Sequence, residues 1–215
     1  LSGMFNRAEA WGYREEGSNP CRGVRRNRPR RFARALEPAE LARLGAALDR
    51  SAKSHPLHVV AIRLLLLTGC RLSEILTLEW SDVRGSRVQL RDGKTGPRTV
   101  WLGDEAKATL AAVPRARGQA AVFYDPAREK PVGDISHVWR EAIRDASIPP
   151  TRLHDLRHTF ASHAARGSET IPMIGKLLGH SKTVSTARYA QLDDATLVAA
   201  SEEVGLLIAG LIGAV

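Results

Sequence analysis

Apolar side chains recur at helical spacing through most of the chain beyond residue 36. Leu41, Leu44 and Leu48 share one face of a helix that Pro38 is well suited to begin. The apolar segment 56–68 predicts a second helix, and Gly69 is expected to end it in the left-handed conformation. Further helices are predicted at 73–78, 104–113, 133–146, 154–166 and 170–178, with a last one from about residue 195.

Patterns typical of β-strands are few. Short runs at 87–91 and 98–102 flank Asp92-Gly93-Lys94-Thr95-Gly96-Pro97, a strong turn signal, and predict a hairpin. The run 121–124 is a candidate for a further small strand. The sequence therefore predicts a mostly α fold with a small antiparallel β-sheet or hairpin, an α+β class.

The first 35 residues differ from the rest in charge. The chain has a net charge of +9, and residues 1–34 hold nine arginines and three glutamates, or +6 of it. Within them, residues 21–34 contain seven arginines and no acidic residue. One interpretation of this run is a strap across a phosphate backbone, where each neutralised phosphate releases a counterion. Taken in isolation the run slightly favours a solvated basic tail, and both interpretations stay open.

The same segment suggests a domain boundary. A helical pattern at 3–16 ends at Gly17, and no hydrophobic periodicity follows it until about residue 36. We expect residues 1–20 to be the end of a preceding domain, 21–35 a basic linker and 36–215 one further domain. The sequence is accordingly expected to be a piece of a longer protein.

Composition narrows the class of protein. Of the 215 residues 43% are apolar and 26% charged, which is typical of a folded globular chain and excludes a disordered, collagen-like or disulfide-rich protein. Cys21 and Cys70 are expected to be free thiols in a reducing cytoplasm. The apolar end, 204–215, is shorter than the roughly 20 residues of a membrane-spanning helix, so no membrane partner is predicted.

Two single cations stand at positions suited to phosphate chemistry. Arg71 follows the predicted helix stop, and its guanidinium fork matches phosphate oxygens. Lys94, in the predicted turn, could donate a proton to a leaving oxygen. Taken alone, each position favours the simpler interpretation, a surface helix cap for Arg71 and an ordinary exposed turn lysine for Lys94.

A histidine-rich segment follows at 153–163. His154 and Arg157 share a helix face, so a proton carrier and a phosphate clamp could act together. His154 and His158 also have zinc-ligand spacing, but Asp155 stands where zinc proteases have a glutamate. We rank metal binding well below phosphate chemistry, and for His158 or His163 we rank a buried, hydrogen-bonded structural role above both.

The last candidate segment holds a possible nucleophile. His180 follows Gly179, and Tyr189 lies among polar residues with no packing reason for a phenol. A phenol has a pKa near 10, so it attacks phosphate only if its proton is removed and the charge stabilised.

Five motifs occur in a fixed order along the chain. They are Thr68-Gly69-Cys70-Arg71-Leu72-Ser73-Glu74, Lys94-Thr95-Gly96-Pro97-Arg98, Leu153-His154-Asp155-Leu156-Arg157-His158-Thr159, Leu178-Gly179-His180-Ser181, and Tyr189 nine residues after His180. In combination they closely resemble the phage integrase family of tyrosine recombinases, from about residue 36 to the end. Residues 1–20 resemble the end of that family's core-binding domain. The chain departs from the family at Gly175-Lys176, where glutamine is common.

The resemblance implies the fold of the family's catalytic domain and a strand-transfer chemistry. Tyr189 would attack the scissile phosphodiester and form a 3′-phosphotyrosyl bond. Arg71 and Arg157 would bind the non-bridging oxygens and stabilise the transition state. The bond energy is kept for rejoining, so no ATP, metal or other cofactor is implied.

The remaining roles are also implied by the resemblance. Lys94 would protonate the leaving 5′-oxygen, His154 would handle the tyrosine proton, and His180 would hydrogen-bond the phosphate. Glu74 and Asp155 would support the arginines and the histidine. DNA contacts are expected from cations outside these positions: Arg22, Arg25, Arg26, Arg28, Arg30, Arg31, Arg98, Arg152, Lys182 and Arg188.

The predicted function is therefore that of a site-specific DNA recombinase or integrase of a mobile element. Its expected partners are double-stranded DNA attachment sites and a directionality factor. On DNA it is expected to assemble with three further copies of itself, whereas free in solution it would be a monomer. A cytoplasmic, nucleoid-associated location is expected. Three alternatives stay open: a type IB topoisomerase, a non-catalytic DNA-binding protein, and a metal hydrolase using His154, His158 and Asp155.

Overall fold

The computed structural model of the chain divides into two units, residues 1–32 and 33–215. The residues that it describes are 1–25, 34–91, 96–115, 118–167, 169–179 and 194–213.

The first unit contains one described helix, α1 (Ser2–Ala10). It stops well before the predicted end at residue 16, because Gly12 adopts the left-handed conformation with φ of 75°. The Gly12 N–H then donates to Glu9 O at 3.0 Å and the Tyr13 N–H to Ala8 O at 2.9 Å, a pair of bonds that closes a helix end. The longer helix predicted from the sequence is therefore wrong.

The second unit is mostly helical. Its described helices are α2 (Pro38–Ala52), α3 (Pro56–Thr68), α4 (Leu72–Leu76), α5 (Asp104–Ala111), α6 (Ser136–Asp145), α7 (Asp155–Arg166), α8 (Ile171–Leu178) and α9 (Asp194–Ile212). Each predicted helix is present, with ends that differ by a few residues. The largest difference is at α6, which starts three residues late because the Asp134 carboxylate accepts the Ser136 N–H at 2.8 Å.

In the part of the chain that the structure describes, two small antiparallel sheets accompany the helices. The first is formed by β1 (Val83–Arg84), β2 (Arg87–Leu90) and β3 (Arg98–Trp101), in that order. β2 and β3 are the predicted hairpin, and Leu90 pairs with Arg98 at its turn end. This confirms the predicted class of a mostly α fold with a small antiparallel sheet.

The second sheet corrects one prediction. It consists of β4 (Tyr124–Asp125) and β5 (Lys130–Pro131). The strand predicted at 121–124 is not continuous, since Ala121 makes only an isolated bridge to Glu79. Two-residue strands are too short for an alternating pattern to reveal.

The helix α3 runs through the core of the second unit and packs on α2, α5, α7 and α9. Its continuous apolar run is explained by this burial on several sides. Gly69 ends it with φ of 62°, as predicted, and donates its N–H to Leu65 O. A side chain there would place Cβ 2.6 Å from Leu178 Cδ2, so the glycine also lets α8 approach.

The helix α9 packs on the core of its own chain. Val204 and Ile208 are fully buried, and a Cβ on Gly45 of α2 would lie 1.9 Å from Ile212 O. The helix spans 19 residues and begins at Asp194, close to the predicted start at about residue 195. Its length and composition would allow it to cross a membrane, but core helices of globular proteins also have such a length and composition. Of its most apolar 18-residue stretch, 44% is buried inside the protein.

Candidate active site

The junction of α3 and α4 positions the first predicted catalytic cation. Arg71 precedes α4 in extended conformation, with φ of −77° and ψ of 152°. Its N–H donates to Glu74 Oε2 and its Nη1 to Glu74 Oε1, both at 2.7 Å. One carboxylate thus caps the helix and orients the guanidinium, whose side chain stays 25% exposed.

The same carboxylate holds a second guanidinium. Arg98 Nη2 donates to Glu74 Oε2 at 2.7 Å and Nε to Oε1 at 3.2 Å. Burial alone would raise the pKa of Glu74, but these bonds and those from Arg71 hold the pKa at about 2. The Arg98 side chain is only 9% exposed, so the predicted direct DNA contact is corrected to an internal ion pair.

The third guanidinium reaches the site from α7. Arg157 Nη1 donates to Gly69 O at 2.8 Å and Nη2 to Leu178 O at 2.7 Å, which ties the ends of α3 and α8 together. Burial, and then the charges of Arg98 and Arg71, lower the pKa of Arg157 to about 10. It therefore stays protonated at neutral pH, and three guanidiniums are gathered near one carboxylate.

His154 lies at the exposed start of α7, beside Arg157. Its ring meets that of His158 edge to face, with centroids 5.5 Å apart. Partial burial, and then the nearby charges of His158 and Arg157, lower the pKa of His154 below its ordinary value. At neutral pH the imidazole is therefore mostly unprotonated and able to accept a proton, which suits the predicted role.

The Asp155 carboxylate makes its direct hydrogen bonds with a neighbouring arginine. It is buried, and it accepts the Arg152 backbone N–H at 2.9 Å and Arg152 Nη2 at 2.8 Å. Burial opposes ionisation, but the bonds from Arg152 hold the pKa of Asp155 below its ordinary value. The carboxylate thus orients Arg152 through direct hydrogen bonds, and its charge acts on the neighbouring His154 ring, whose protonated form it favours. Its predicted support of the catalytic arginines stays a prediction.

These contacts also bear on the zinc alternative. Asp155, the carboxylate ligand of the proposed zinc site, forms an ion pair with Arg152. His163 is buried with Nε2 2.9 Å from Leu36 O, the structural role that the sequence favoured. Within the described ranges, no group of three histidine, cysteine or acidic side chains is arranged to hold a metal ion.

The other predicted site residues divide into two sets. Arg22, Arg25 and Arg152 are exposed, and Arg22 lies 3.8 Å from Glu9. Their DNA contacts stay predictions. The following lie outside the described residues: Arg26, Arg28, Arg30, Arg31, Lys94, His180, Lys182, Arg188 and Tyr189.

The flanks of the undescribed segments are nevertheless placed. Arg98, four residues after Lys94, is anchored on Glu74. Leu178, two residues before His180, accepts a hydrogen bond from Arg157. The described residues that follow the first of these segments and precede the second therefore lie next to the three guanidiniums.

Sequence reasoning missed one feature of the site and one outside it. The Arg98–Glu74 pair has no local signal, since its members lie 24 residues apart. His55, His58 and His137 form a cluster at the first turns of α3 and α6, with ring centroids 5.2 to 5.4 Å apart. Only His55 and His58 have a spacing that could have suggested it.

Comparison with known proteins agrees with this geometry. The phage integrase family matches residues 34–196, and the chain belongs to that family. The tyrosine recombinase XerC of Chromohalobacter salexigens is 31% identical over 179 residues, which cover 77% of this chain and 58% of that protein. The chain spans about half the length of the curated relatives it matches, with 58, 42 and 53% for three of them.

Solved structures support the same assignment. The XerA recombinase is 27% identical with a TM-score of 0.57, covering 81% of this chain and 64% of that one. The catalytic domain of bacteriophage HP1 integrase is 29% identical with a TM-score of 0.54, covering 77% of this chain and 92% of that one. The predicted family and its catalytic-domain fold are confirmed.

Proposed function

We propose that this protein is a site-specific DNA recombinase of the integrase type, which cleaves and rejoins DNA through a 3′-phosphotyrosyl intermediate. The observation that supports it most is the group of Arg71, Arg98 and Arg157 around the single carboxylate of Glu74. Together they leave a net charge of +2, which matches the charge that a phosphodiester develops as it becomes pentacoordinate.

The roles follow from charge and exposure. Arg71, a quarter exposed, and Arg157, with guanidinium N–H groups beyond its two carbonyl bonds, would bind the non-bridging oxygens. Tyr189 would attack phosphorus, and His154 would take its proton. Lys94 would protonate the leaving 5′-oxygen, and His180 would donate a hydrogen bond to the phosphate.

The rejoining step uses the same groups in reverse. The 5′-hydroxyl of a partner strand attacks the phosphotyrosine, the new phosphodiester forms, and the phenol leaves with a proton returned to it. The number of phosphoester bonds is unchanged, so the reaction consumes no ATP. The guanidiniums supply the positive charge for which other phosphoryl-transfer enzymes use a metal ion.

The proposed partner is double-stranded DNA, joined by three further copies of this chain when two sites recombine. Residues 1–20 would be the end of a DNA-binding domain, 21–35 a basic strap and 36–215 the catalytic domain. Phosphate contacts from Arg22, Arg25 and Arg152 would add affinity without sequence information. A directionality factor, a mobile-element origin and a nucleoid-associated, cytoplasmic location complete the proposal.

A covalent capture experiment tests the function. The full-length protein is incubated in EDTA with sheared genomic DNA of its host and denatured in SDS, and protein-linked DNA is collected and sequenced. We expect DNA attached to protein through its 3′ end, enriched in one sequence, for the parent and not for Tyr189→Phe. Covalent DNA that persists in Tyr189→Phe would contradict the assigned nucleophile.

The same experiment separates the alternatives. A non-catalytic DNA-binding protein yields no covalent DNA from any variant. A metal hydrolase yields none either, and it cuts DNA only in a parallel reaction that contains a divalent cation and no EDTA. A type IB topoisomerase yields attached DNA and relaxes a supercoiled plasmid that lacks the captured sequence. We expect relaxation to require that sequence.

A further inference from the structure

Arg98 lies at the centre of the proposed active site but does not face the substrate. Its side chain is 9% exposed and makes four contacts: two to the Glu74 carboxylate, one to Leu177 O at 3.4 Å and one to Cys70 Sγ at 3.7 Å. A guanidinium buried this deeply is present for something inside the protein.

The charges around Glu74 indicate the role of the buried Arg98 guanidinium. Arg71 gives this carboxylate one guanidinium bond, from Nη1, whereas Arg98 gives it two, in the parallel arrangement that is strongest for arginine and carboxylate. Without Arg98, Glu74 would be paired with Arg71 alone. The positive charge of Arg71 would then be offset before any phosphate arrived.

The backbone nearby is adapted to this side chain. Gly179 has φ of 67°, and a Cβ there would lie 2.4 Å from Arg98 Cδ and 3.0 Å from Nε. The end of α8 therefore passes directly over the Arg98 side chain. The same side chain thus connects β3, Glu74 of α4 and the end of α8.

We propose that Arg98 is a positioning residue for strand cleavage: it binds the Glu74 carboxylate and thereby keeps the charge of Arg71 available to the scissile phosphate. This inference rests on the proposed function. It assigns Arg98 no contact with DNA and no part in proton transfer. Its effect is on the transition state, where the phosphate gains charge, and only slightly on binding of the ground-state duplex.

The test compares Arg98→Met with the double variant Arg98→Met/Glu74→Gln. The substrate is a nicked duplex built from the captured sequence. The rate of covalent-complex formation is measured at saturating DNA, and affinity is measured separately by fluorescence anisotropy. We expect Arg98→Met to lower the rate about 100-fold while changing Kd less than about 3-fold. The double variant should recover at least about 10-fold, because removing the carboxylate's charge frees Arg71 again.

Arg87→Met is the matched control, since Arg87 lies in the adjacent strand and pairs with Asp194 at an exposed site. It should cleave within about 2-fold of the parent. The proposal is overturned if Arg98→Met cleaves at nearly the parental rate, or if the double variant is no faster than Arg98→Met, as a purely structural role requires.

A folding defect and an inactive parent are each distinguishable from failure of the proposal. If circular dichroism shows that Arg98→Met does not fold, Arg98→Lys replaces it, since it keeps a cation on Glu74. It should retain at least about one-tenth of the parental rate, and loss of all activity would reject the charge argument. If the parent itself forms no covalent complex, the proposed function fails first, and that is seen before any variant is compared.

Discussion

Among single side chains, Arg157 makes the contacts that a chemically similar residue cannot replace. Its guanidinium donates to Gly69 O and Leu178 O from two different nitrogens while it is 6% exposed. A lysine keeps the charge but has no planar fork, so Arg157→Lys leaves one carbonyl unsatisfied. We expect covalent-complex formation to fall at least about 100-fold and the free energy of unfolding to fall by about 1.5 to 3 kcal/mol.

Urea denaturation and single-turnover cleavage measure the two effects. Arg140→Lys is the control, because Arg140 is exposed on α6 and makes a local bond to Ser136 O. It should change neither quantity appreciably. A stable and fully active Arg157→Lys would show that charge alone suffices at this position.

The contrast between Arg157 and Arg98 shows how far sequence reasoning reaches at this scale. The order of the motifs was enough to select Arg71, Arg157 and His154, which the structure places in one region. The same reasoning assigned Arg98 to DNA, because an arginine at the start of a strand looks alike whether it faces solvent or Glu74. Burial by a partner 24 residues away is a tertiary property that no local pattern contains.

At the scale of elements, the end of α8 depends on a glycine for two separate reasons. Gly179 is left-handed, and its missing side chain makes room for Arg98. Gly85 is also left-handed, with φ of 60°, but a Cβ there would have no neighbour within 4 Å. Gly85→Ala therefore measures the conformational cost alone, about 1 to 2 kcal/mol.

Gly179→Ala should cost more than Gly85→Ala by a further 1 to 3 kcal/mol or so, the usual cost of forcing an extra carbon into a packed site. Urea denaturation of the two variants gives the difference. Equal losses would mean that the Arg98 side chain moves aside without strain.

The first turns of α3 and α6 predict a dependence of stability on pH. Burial, then the charges of His137, His55 and Arg128, lower the pKa of His58 below its ordinary value of 6.5, against a small opposing effect of Asp125. The folded state therefore binds fewer protons than the unfolded state just below pH 6.5. Stability is retained above that pH and declines as the pH falls below it.

Urea denaturation at pH 7.5, 6.5 and 5.5 tests this expectation. The decline below pH 6.5 is limited to about 1.4 kcal/mol per pH unit for each proton involved. His58→Gln should make the decline shallower, since it removes the group whose pKa is lowered. A decline of the same slope in His58→Gln would place the titrating group elsewhere, for example at His154.

At this scale, longer helices and strands could be predicted from the sequence more reliably than short ones. The longer helices, such as α2, α3 and α7, were predictable because their apolar spacing repeats over several turns, and the β2–β3 hairpin because a strong turn signal joins its strands. The strands β1, β4 and β5 have two residues each, too few for any alternation. The end of α1 was missed because one glycine in a polar segment outweighed the propensity of the four residues that follow.

At the scale of the whole molecule, the positive charge falls into two sets of residues with different expected roles. Residues 1–34 hold +6 of the +9, while the remainder, close to neutral in sum, concentrates a few cations around one carboxylate. The first set should govern affinity for DNA, because affinity depends on how many phosphates are neutralised. The second set should govern the rate of DNA cleavage, because that rate depends on where the cations lie around the scissile phosphate. Salt affects the two differently, because counterion release depends on the number of phosphates neutralised.

The basic segment therefore predicts a change in salt dependence without a change in chemistry. Replacing Arg25, Arg26 and Arg28 with glutamine should reduce the slope of log K against log salt by about 0.9 for each phosphate that the variant no longer neutralises. The cleavage rate at saturating DNA should stay within about 3-fold of the parental rate. Anisotropy titrations between about 50 and 200 mM salt measure the slope.

The control removes the same amount of positive charge from the second unit. Its three arginines are exposed on the β4–β5 hairpin and α6: Arg128, Arg140 and Arg144. The triple glutamine variant at these positions should keep the parental slope. If both variants lower the slope equally, binding responds to total charge and residues 21–34 are a solvated tail. If only the first does, the segment contacts the DNA backbone as a strap, and affinity and rate can be altered independently in one protein.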